Sequence, residues 1–428
     1  MILEPSLECA TPKRIRSLQD ARLRSQQIRF AQVPAYRPLL RSPRDWSALR
    51  QSTLINGEAY GKSHSAFLKL SREGLAYVDI TSGTTGPPKM RFVTDQDDAI
   101  DKRLLARSFC AFGIRKSDRV LFVDVGDLNL FAIGSKALSD LGNDRSVFHA
   151  VRLPFAKSFQ EAFRVFNPDV LFTIPSVLMR GFDALREHLQ GRSRLRSIIY
   201  TGEHLQDKIR HYLWKSHRVE VFSLYSSIEL GFIGAECEQH DGDHLWADAL
   251  LPHIAGATKV RQKVFKREAN VLRGIFGATQ LLHEGSPAFM YQTGDVVYFT
   301  DAPCACGRTL PRLKFLSRSK DIFSVYSSKL SFSQFHNIVY PNDEEDTTNL
   351  LQIVVTENKA GVLLTLILPV ESLYSVEQRA AVIRCRLESD PSLAFLVEHG
   401  LLRFRLSFRP ATFFVSRKVN TVEDRRIR

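Results

Sequence analysis

The chain has 428 residues, 44% of them hydrophobic, enough to bury at least one large core and to form two or three domains. Its net charge of +13 is spread over clusters at 13–16, 192–196, 259–267 and 425–428 with no zinc-finger, helix-turn-helix or RNA-recognition pattern, so nucleic-acid binding is not expected. No window approaches the roughly 18 to 20 apolar residues of a membrane span, residues 1–20 lack a leader's apolar core, and six cysteines make no disulfide scaffold, so the expectation is a cytoplasmic protein without membrane partners.

Residues 1–70 are polar, Arg-rich and helical in texture, although Ile15, Leu18, Leu23 and Ile28 are spaced too irregularly to fix a helix. A strand-like run at 75–80 leads into Thr81-Ser82-Gly83-Thr84-Thr85-Gly86-Pro87-Pro88-Lys89. Gly83 and Gly86 let such a loop curl, its hydroxyls and N–H groups can cradle phosphate oxygens, and Lys89 adds a point charge. It is not the P-loop pattern, and a plain surface turn is the competing reading. From residue 75 to about 300, apolar runs at 120–123, 170–174, 198–200 and 219–222 alternate with helical stretches at 98–113, 159–166, 176–190 and 205–216. This alternation predicts an α/β domain with mixed, partly parallel sheets. Beyond Asp321 two strands at 350–355 and 361–368, a helix at 376–387 and an alternating strand at 402–408 predict a small α+β domain. The expected division is therefore 1–321 and 322–428.

Further stretches carry chemistry. Gly202-Glu203 follows the apolar Ile198-Ile199-Tyr200, and Tyr225-Ser226-Ser227-Ile228-Glu229 and Tyr291-Gln292-Thr293-Gly294-Asp295 come later. Cys237, Cys304 and Cys306 come from two chain segments, as the thiolates of structural zinc sites do, with His244 as fourth ligand and His240 as its rival. Buried cysteines without a metal are the alternative. Cys9, Cys110 and Cys385 read as isolated thiols.

Taken in order, these motifs resemble the adenylate-forming superfamily of acyl-CoA synthetases, luciferases and peptide-synthetase adenylation domains. Val33-Pro34-Ala35-Tyr36-Arg37, Glu236-Cys237, 241–246, 303–309 and the tail from Lys418 to Arg426 are similar to its phenylacetate–CoA ligase-like branch. The resemblance implies a large adenylation domain with a small mobile lid, and ATP-dependent activation of a carboxylic acid, most economically an aromatic one, to an acyl-adenylate. Thioester formation with coenzyme A follows, and transfer to a carrier-protein thiol or an amine is the alternative.

The same resemblance assigns roles. Thr81, Ser82, Gly83, Thr84, Thr85 and Gly86, with Lys89, would hold the β- and γ-phosphates. Gly202 and Glu203 would face adenine, with Tyr225 and Ser226 beneath it. Glu229 would bind Mg²⁺, Asp295 and Arg318 the ribose, and Lys418 is the mobile lysine that reaches the carboxylate and the α-phosphate. Residues 124–134, including Phe131, and 200–203 would line the acid's pocket. ATP, Mg²⁺, coenzyme A and a structural Zn²⁺ are the implied cofactors. The implied partner is a small carboxylic acid, with a carrier protein and a homodimeric assembly left open.

Several positions depart from the superfamily's pattern. Ile228 stands where a hydroxyl residue is expected, Ser226 where glycine is, and Ser317 precedes Arg318 in place of glycine. Tyr326-Ser327 replaces an Arg-Gly pair that lines the pantetheine tunnel. The last two bear on the second half-reaction, so adenylation reads as the better supported step, and a non-catalytic nucleotide-binding homologue is the third reading.

Overall fold

The structure is a computed structural model. It describes the chain apart from residues 41–54, 57–58, 61–63, 68–73, 81–88, 125–127, 151–154, 206, 262, 267–269, 320–321, 326–327, 342–349, 359–360, 371–374, 392, 399, 415–420 and 426–428. Two compact units divide it, Met1–Leu316 and Ser317–Arg428.

In the first unit, strands β1 (Ile55–Asn56), β2 (Tyr77–Ile80) and β3 (Met90–Val93) precede β4 (Val120–Asp124), β5 (Ser146–Ala150), β6 (Val170–Thr173), β7 (Ser197–Thr201) and β8 (Glu220–Ser227). There follow β9 (Gly231–Ala235), β10 (Asp243–Leu245), β11 (Leu250–Lys259), β12 (Leu272–Gln280), β13 (Tyr291–Thr300) and β14 (Arg312–Arg318). Strands β4 to β8 are parallel neighbours in the order β5-β4-β6-β7-β8, and the sheet continues through β9, β10, β14, β13, β12 and β11, with β8–β9, β9–β10, β10–β14, β13–β12 and β12–β11 antiparallel. β6 and β7 are buried along their whole length, as a strand covered on both faces must be.

Alternation of side chains sorts the parallel strands between two layers. Phe122, Phe172, Ile199 and Phe222 pack with Phe109 and Leu105 of helix Asp95–Ala111. Leu121, Leu171, Ile198 and Val221 pack on the other side with Phe163 and Leu185. Helix Asp95–Ala111 starts at a reciprocal cap, in which Thr94 Oγ accepts the Asp97 N–H at 3.1 Å and Asp97 accepts the Thr94 N–H at 3.2 Å. Asp97 also accepts the N–H groups of Glu284 and Gly285.

The long helix Pro12–Gln32 begins with Thr11 accepting the Arg14 N–H and buries Ile15, Gln19, Leu23, Gln26 and Phe30. Two glutamines complete this stripe. Gln19 donates to the Ala247 carbonyl at 2.7 Å and Gln26 to that of His283, so the amides are buried at no loss of hydrogen bonding. Ile28, counted among the apolar positions from sequence, is 69% exposed.

The second unit holds the hairpin β15 (Ile322–Val325) and β16 (Ser328–Ser331), helix Phe332–Val339, and the four-stranded sheet formed by β17 (Gln352–Asn358), β18 (Gly361–Pro369), β19 (Leu402–Arg409) and β20 (Thr421–Asp424). β18 and β19 are parallel, and helix Val376–Glu388 lies between them in the chain. This is a small α+β unit with its own core, including Ile353, Leu364, Leu366, Ile383 and Leu387. No helix among the described residues is long and apolar enough to cross a membrane.

Candidate active site

Three chain segments converge on Glu229. The turn after β8 delivers its carboxylate, Lys89 stands just before β3, and Tyr291 opens β13. The Lys89 ammonium contacts the Glu229 carboxylate and donates to the Tyr291 hydroxyl at 3.1 Å. That hydroxyl in turn donates to the same Glu229 oxygen at 2.5 Å. Glu229 is 4% exposed and Tyr291 2%, so the contacts form in a low-dielectric setting. Burial, then the Glu229 charge, pushes the Tyr291 phenol well above its usual range, which keeps it a hydrogen-bond donor. Tyr60 packs edge-on against the Tyr291 ring at 5.8 Å and anchors through the Met90 carbonyl.

Beneath this cluster runs a buried ionic network. Arg91 and His283 bond the two oxygens of Asp101 at 2.5 and 3.0 Å, and Asp79 lies 3.7 Å from Arg91. Burial opposes ionisation of Asp101, but Arg91 and His283 outweigh it and hold the carboxyl below its ordinary range. Gly231 (φ +66°) lets the chain after Glu229 pass this network, since a Cβ there would lie 2.8 Å from an Asp101 oxygen.

A second carboxylate sits on β13. Asp295 accepts from the Tyr225 hydroxyl at 2.6 Å, and its N–H is held by Thr293 Oγ at 3.1 Å. Thr293 donates onward to the Phe276 carbonyl. Gly294, at φ +83°, makes the tight Thr293–Asp295 geometry possible. The third piece is the end of β7, where Thr201 Oγ lies 2.8 Å from Ser226 Oγ and also bonds the Leu224 carbonyl. Gly202 turns the chain away from β7 at φ +77° and is exposed, while Glu203 is half-buried. The hydroxyl that Ser226 carries in place of glycine is thus spoken for by Thr201.

The structure therefore joins Lys89 to Glu229 and Tyr225 to Asp295, with Ser226 and Gly202 on the adjoining strand ends. Arg318 ends β14 and is half-buried. Residues 81–86 and Lys418, with Asp321 and Tyr326-Ser327, lie outside the described residues. Sequence reading passed over Tyr291 and Thr201 as functional groups. Tyr291 was signalled by its place at the head of a motif whose last residue is an expected ligand contact, whereas Thr201 had no signal beyond its hydroxyl.

Cys237, His244, Cys304 and Cys306 form a second cluster, their four ligand atoms all within 4.8 Å of one another. Tetrahedral zinc with bonds of about 2.3 Å to sulfur sets sulfur–sulfur edges of roughly 3.8 Å. The Cys237 and Cys304 sulfurs are 3.8 Å apart, and His244 Nε2 is 3.4 Å from the Cys306 sulfur. Burial lowers the His244 imidazole below its usual range, which favours the neutral, ligating form. Hydrogen bonding with Cys237 and Cys304 lowers the Cys306 thiol. The donor set and spacing fit a tetrahedral soft-ligand metal site. His240 does not take part: its ring stacks on Phe222 at 4.8 Å and its Nδ1 lies 3.3 Å from Arg210. Arg308 crosses from the cluster to the N-terminal segment, donating to Cys306 at 3.6 Å and to Glu8 at 2.7 Å.

The α/β unit thus pairs a lysine with a buried acid beside an aspartate held by a tyrosine, in keeping with the resemblance to adenylate-forming proteins. The fold agrees: over 98% of this chain and 91% of the other, it superposes on 2-hydroxyisobutyryl-CoA ligase in the postadenylation state with a TM-score of 0.72 at 18% identity. An anthranilate CoA ligase in complex with anthranoyl-AMP shares it with a TM-score of 0.54 at 15% identity, over 82% of this chain and 67% of that one. No family model matches the chain. A phenylacetate–coenzyme A ligase of Thermus thermophilus is 27% identical over 349 residues, 76% of this chain and 75% of that protein. Another, from Aromatoleum evansii, is 25% identical over 94% of this chain and 90% of that one. In sequence and fold the chain is thus similar to the phenylacetate–CoA ligase-like branch of the adenylate-forming superfamily.

Proposed function

We propose that the protein is an AMP-forming acid–CoA ligase that activates an aromatic carboxylic acid with ATP and passes the acyl group to coenzyme A. The observation that carries this reading is the Lys89–Glu229–Tyr291 cluster beside the Tyr225–Asp295 pair, which sets a cation and a metal-type carboxylate next to a ribose-type acceptor. Relatives named as phenylacetate–coenzyme A ligases support the reaction class. The aromatic preference is supported by the relatives named as phenylacetate–coenzyme A ligases.

In the first half-reaction an oxygen of the acid attacks the α-phosphorus of ATP and the bond to the bridging oxygen of pyrophosphate breaks. Charge accumulates on non-bridging and leaving oxygens, so fixed cations and N–H groups lower the barrier. Lys89, with residues 81–86, would hold the β- and γ-phosphates, Asp295 and Arg318 the ribose hydroxyls, and Gly202, Glu203, Tyr225 and Ser226 the base. Glu229 is the residue that would hold Mg²⁺, which when bound supplies positive charge against the phosphate oxygens. Tyr291 orients the Glu229 carboxylate through its hydroxyl. Lys418, on the unit beyond residue 316, would meet the carboxylate and the α-phosphate when that unit acts as a lid, and then withdraw. Cys237, His244, Cys304 and Cys306 would hold a structural zinc, which takes no part in the chemistry.

Pyrophosphate release measured over aromatic and aliphatic acids, with and without coenzyme A, tests the proposal. Aromatic acids should release pyrophosphate, and a thioester should form when coenzyme A is present. Release without thioester would move the acceptor to a carrier protein or an amine, and no release with any acid would remove the enzymatic reading.

A further inference from the structure

The parallel strands place their C-terminal ends at the candidate active site, so their N-terminal ends gather at the far rim of the sheet. Register aligns Val120 with Ser146 and Val170, Val170 with Ser197, and Ser197 with Glu220. The residues just before these positions are Arg145, Arg119, Asp169, Arg196 and Val219, a row of five that spans about 19 Å at the usual strand spacing.

The loops that carry this row are knitted together. Asn143 donates to the Arg115 and Asp118 carbonyls at 2.8 and 3.0 Å and accepts the Arg145 N–H at 2.9 Å. Asn167 donates to the Arg192 carbonyl and accepts the Arg194 N–H, both at 3.2 Å. Asp118 accepts the Arg115 N–H and Asp169 the Arg119 N–H, at 2.6 and 2.9 Å.

These two acids are turned inward, 4% and 8% exposed, and they hold Arg196 and Arg194. The other cations face outward. Arg115, Lys116, Arg145, Arg164, Arg192 and Arg218 are exposed and form no ion pair among the described residues. Exposed acid is sparser: Asp140, which pairs with Lys102, and Asp144 before β5, with Glu220 half-buried. The rim is a pre-ordered, mainly guanidinium surface in which exposed cations outnumber exposed acids.

We infer that this rim docks an acidic segment of a partner protein. Charge complementarity sets the sign of the partner, and guanidinium groups pair carboxylates in two-point contacts. Two features favour a polypeptide. Val147 and Val165 are 40% and 68% exposed beside the cations, and β5, at the sheet's edge, is paired on one side only among the described residues. Apolar contacts and free backbone N–H and C=O groups suit an added peptide strand. Because the rim lies at the opposite end of the strands from the active site, docking there is compatible with turnover.

Fluorescence anisotropy with a labelled peptide of alternating Glu and Val, titrated with the full-length protein at physiological salt, tests this. Arg145→Glu combined with Arg192→Glu should weaken binding by about tenfold or more, and Lys259→Glu with Lys263→Glu, exposed at the other edge of the sheet, by less than about twofold. Pyrophosphate release should be unchanged in both. Equal losses in the two variants, or no binding by the wild type, would overturn the inference. An oligonucleotide of equal net charge that binds more tightly than the peptide and is lost with the Arg145/Arg192 variant would assign the rim to nucleic acid, with Trp214 beneath Arg218 as its stacking surface.

Discussion

Lys89 and Glu229 hold one another, and the Tyr291 hydroxyl is bonded to both. The cation proposed for phosphate and the carboxylate proposed for metal thus neutralise each other when neither ligand is present. On the proposed reading, entry of metal-bound ATP would replace this ion pair by two others, so that neither charge would be left alone at low dielectric.

Removing either partner exposes that logic. Lys89→Ala should lower kcat/KM for ATP by about 10²–10³-fold through loss of charge at the phosphates. Glu229→Gln should lower it as much and shift the activating magnesium concentration upward. Steady-state kinetics across a magnesium series check both, and a magnesium dependence unchanged in Glu229→Gln would remove that residue as the metal ligand.

Tyr291→Phe deletes one buried hydroxyl and keeps the ring against Tyr60. The lost hydrogen bond to a charged group corresponds to about 1.5–3 kcal/mol, or roughly 10- to 100-fold in kcat/KM. Thermal unfolding should move far less than activity. A large fall in Tm with normal turnover would make Tyr291 a packing residue only.

Asp101 offers a test by pH. Its carboxyl is held below the usual carboxylate range in the folded protein, so it adds stability that is full above the unfolded value of about 4 and is lost as pH falls through the folded value. Asp101→Asn leaves Arg91 to the longer Asp79 contact and should cost about 3 kcal/mol at neutral pH. Denaturant unfolding at neutral pH and below pH 4 reads the difference, which should shrink in acid.

The cysteine cluster predicts one tightly bound zinc. Elemental analysis of purified protein should find it, Cys304→Ser should abolish it, and Tm should fall on the order of 5–10 °C. Lys418→Ala should abolish pyrophosphate release, and an unaffected rate would transfer its role elsewhere.

Much of the fold was legible because parallel strands announce themselves. The runs at 170–174 and 198–200 are apolar but for Thr173, whose hydroxyl bonds the Val123 carbonyl, as two-sided burial demands, and β6 and β7 occupy them. The helix Pro12–Gln32 was not delimited, because Gln19 and Gln26 fill two of the five buried positions that apolar residues would normally mark, and their carbonyl partners lie more than two hundred residues away. At the site, Glu229 and Asp295 could be named from their motifs, but the pairing of each with a tyrosine is a tertiary contact. The choice of His244 over His240 likewise followed from register, since His244 is paired in β10 opposite Ala235 while His240 turns toward Phe222.

The hydroxyl clasp between Thr201 and Ser226 has a thermodynamic meaning for ligand entry. Glycine at position 226 would leave that stretch of β8 freer before a ligand arrives, and the entropy of ordering it would be charged to binding. With serine, the two strand ends are fastened during folding, so the surface offered to a base is already set. Ser226→Gly should therefore leave the bound geometry alone while making association more enthalpic and entropically more costly, a trade that calorimetry resolves even where affinity barely changes.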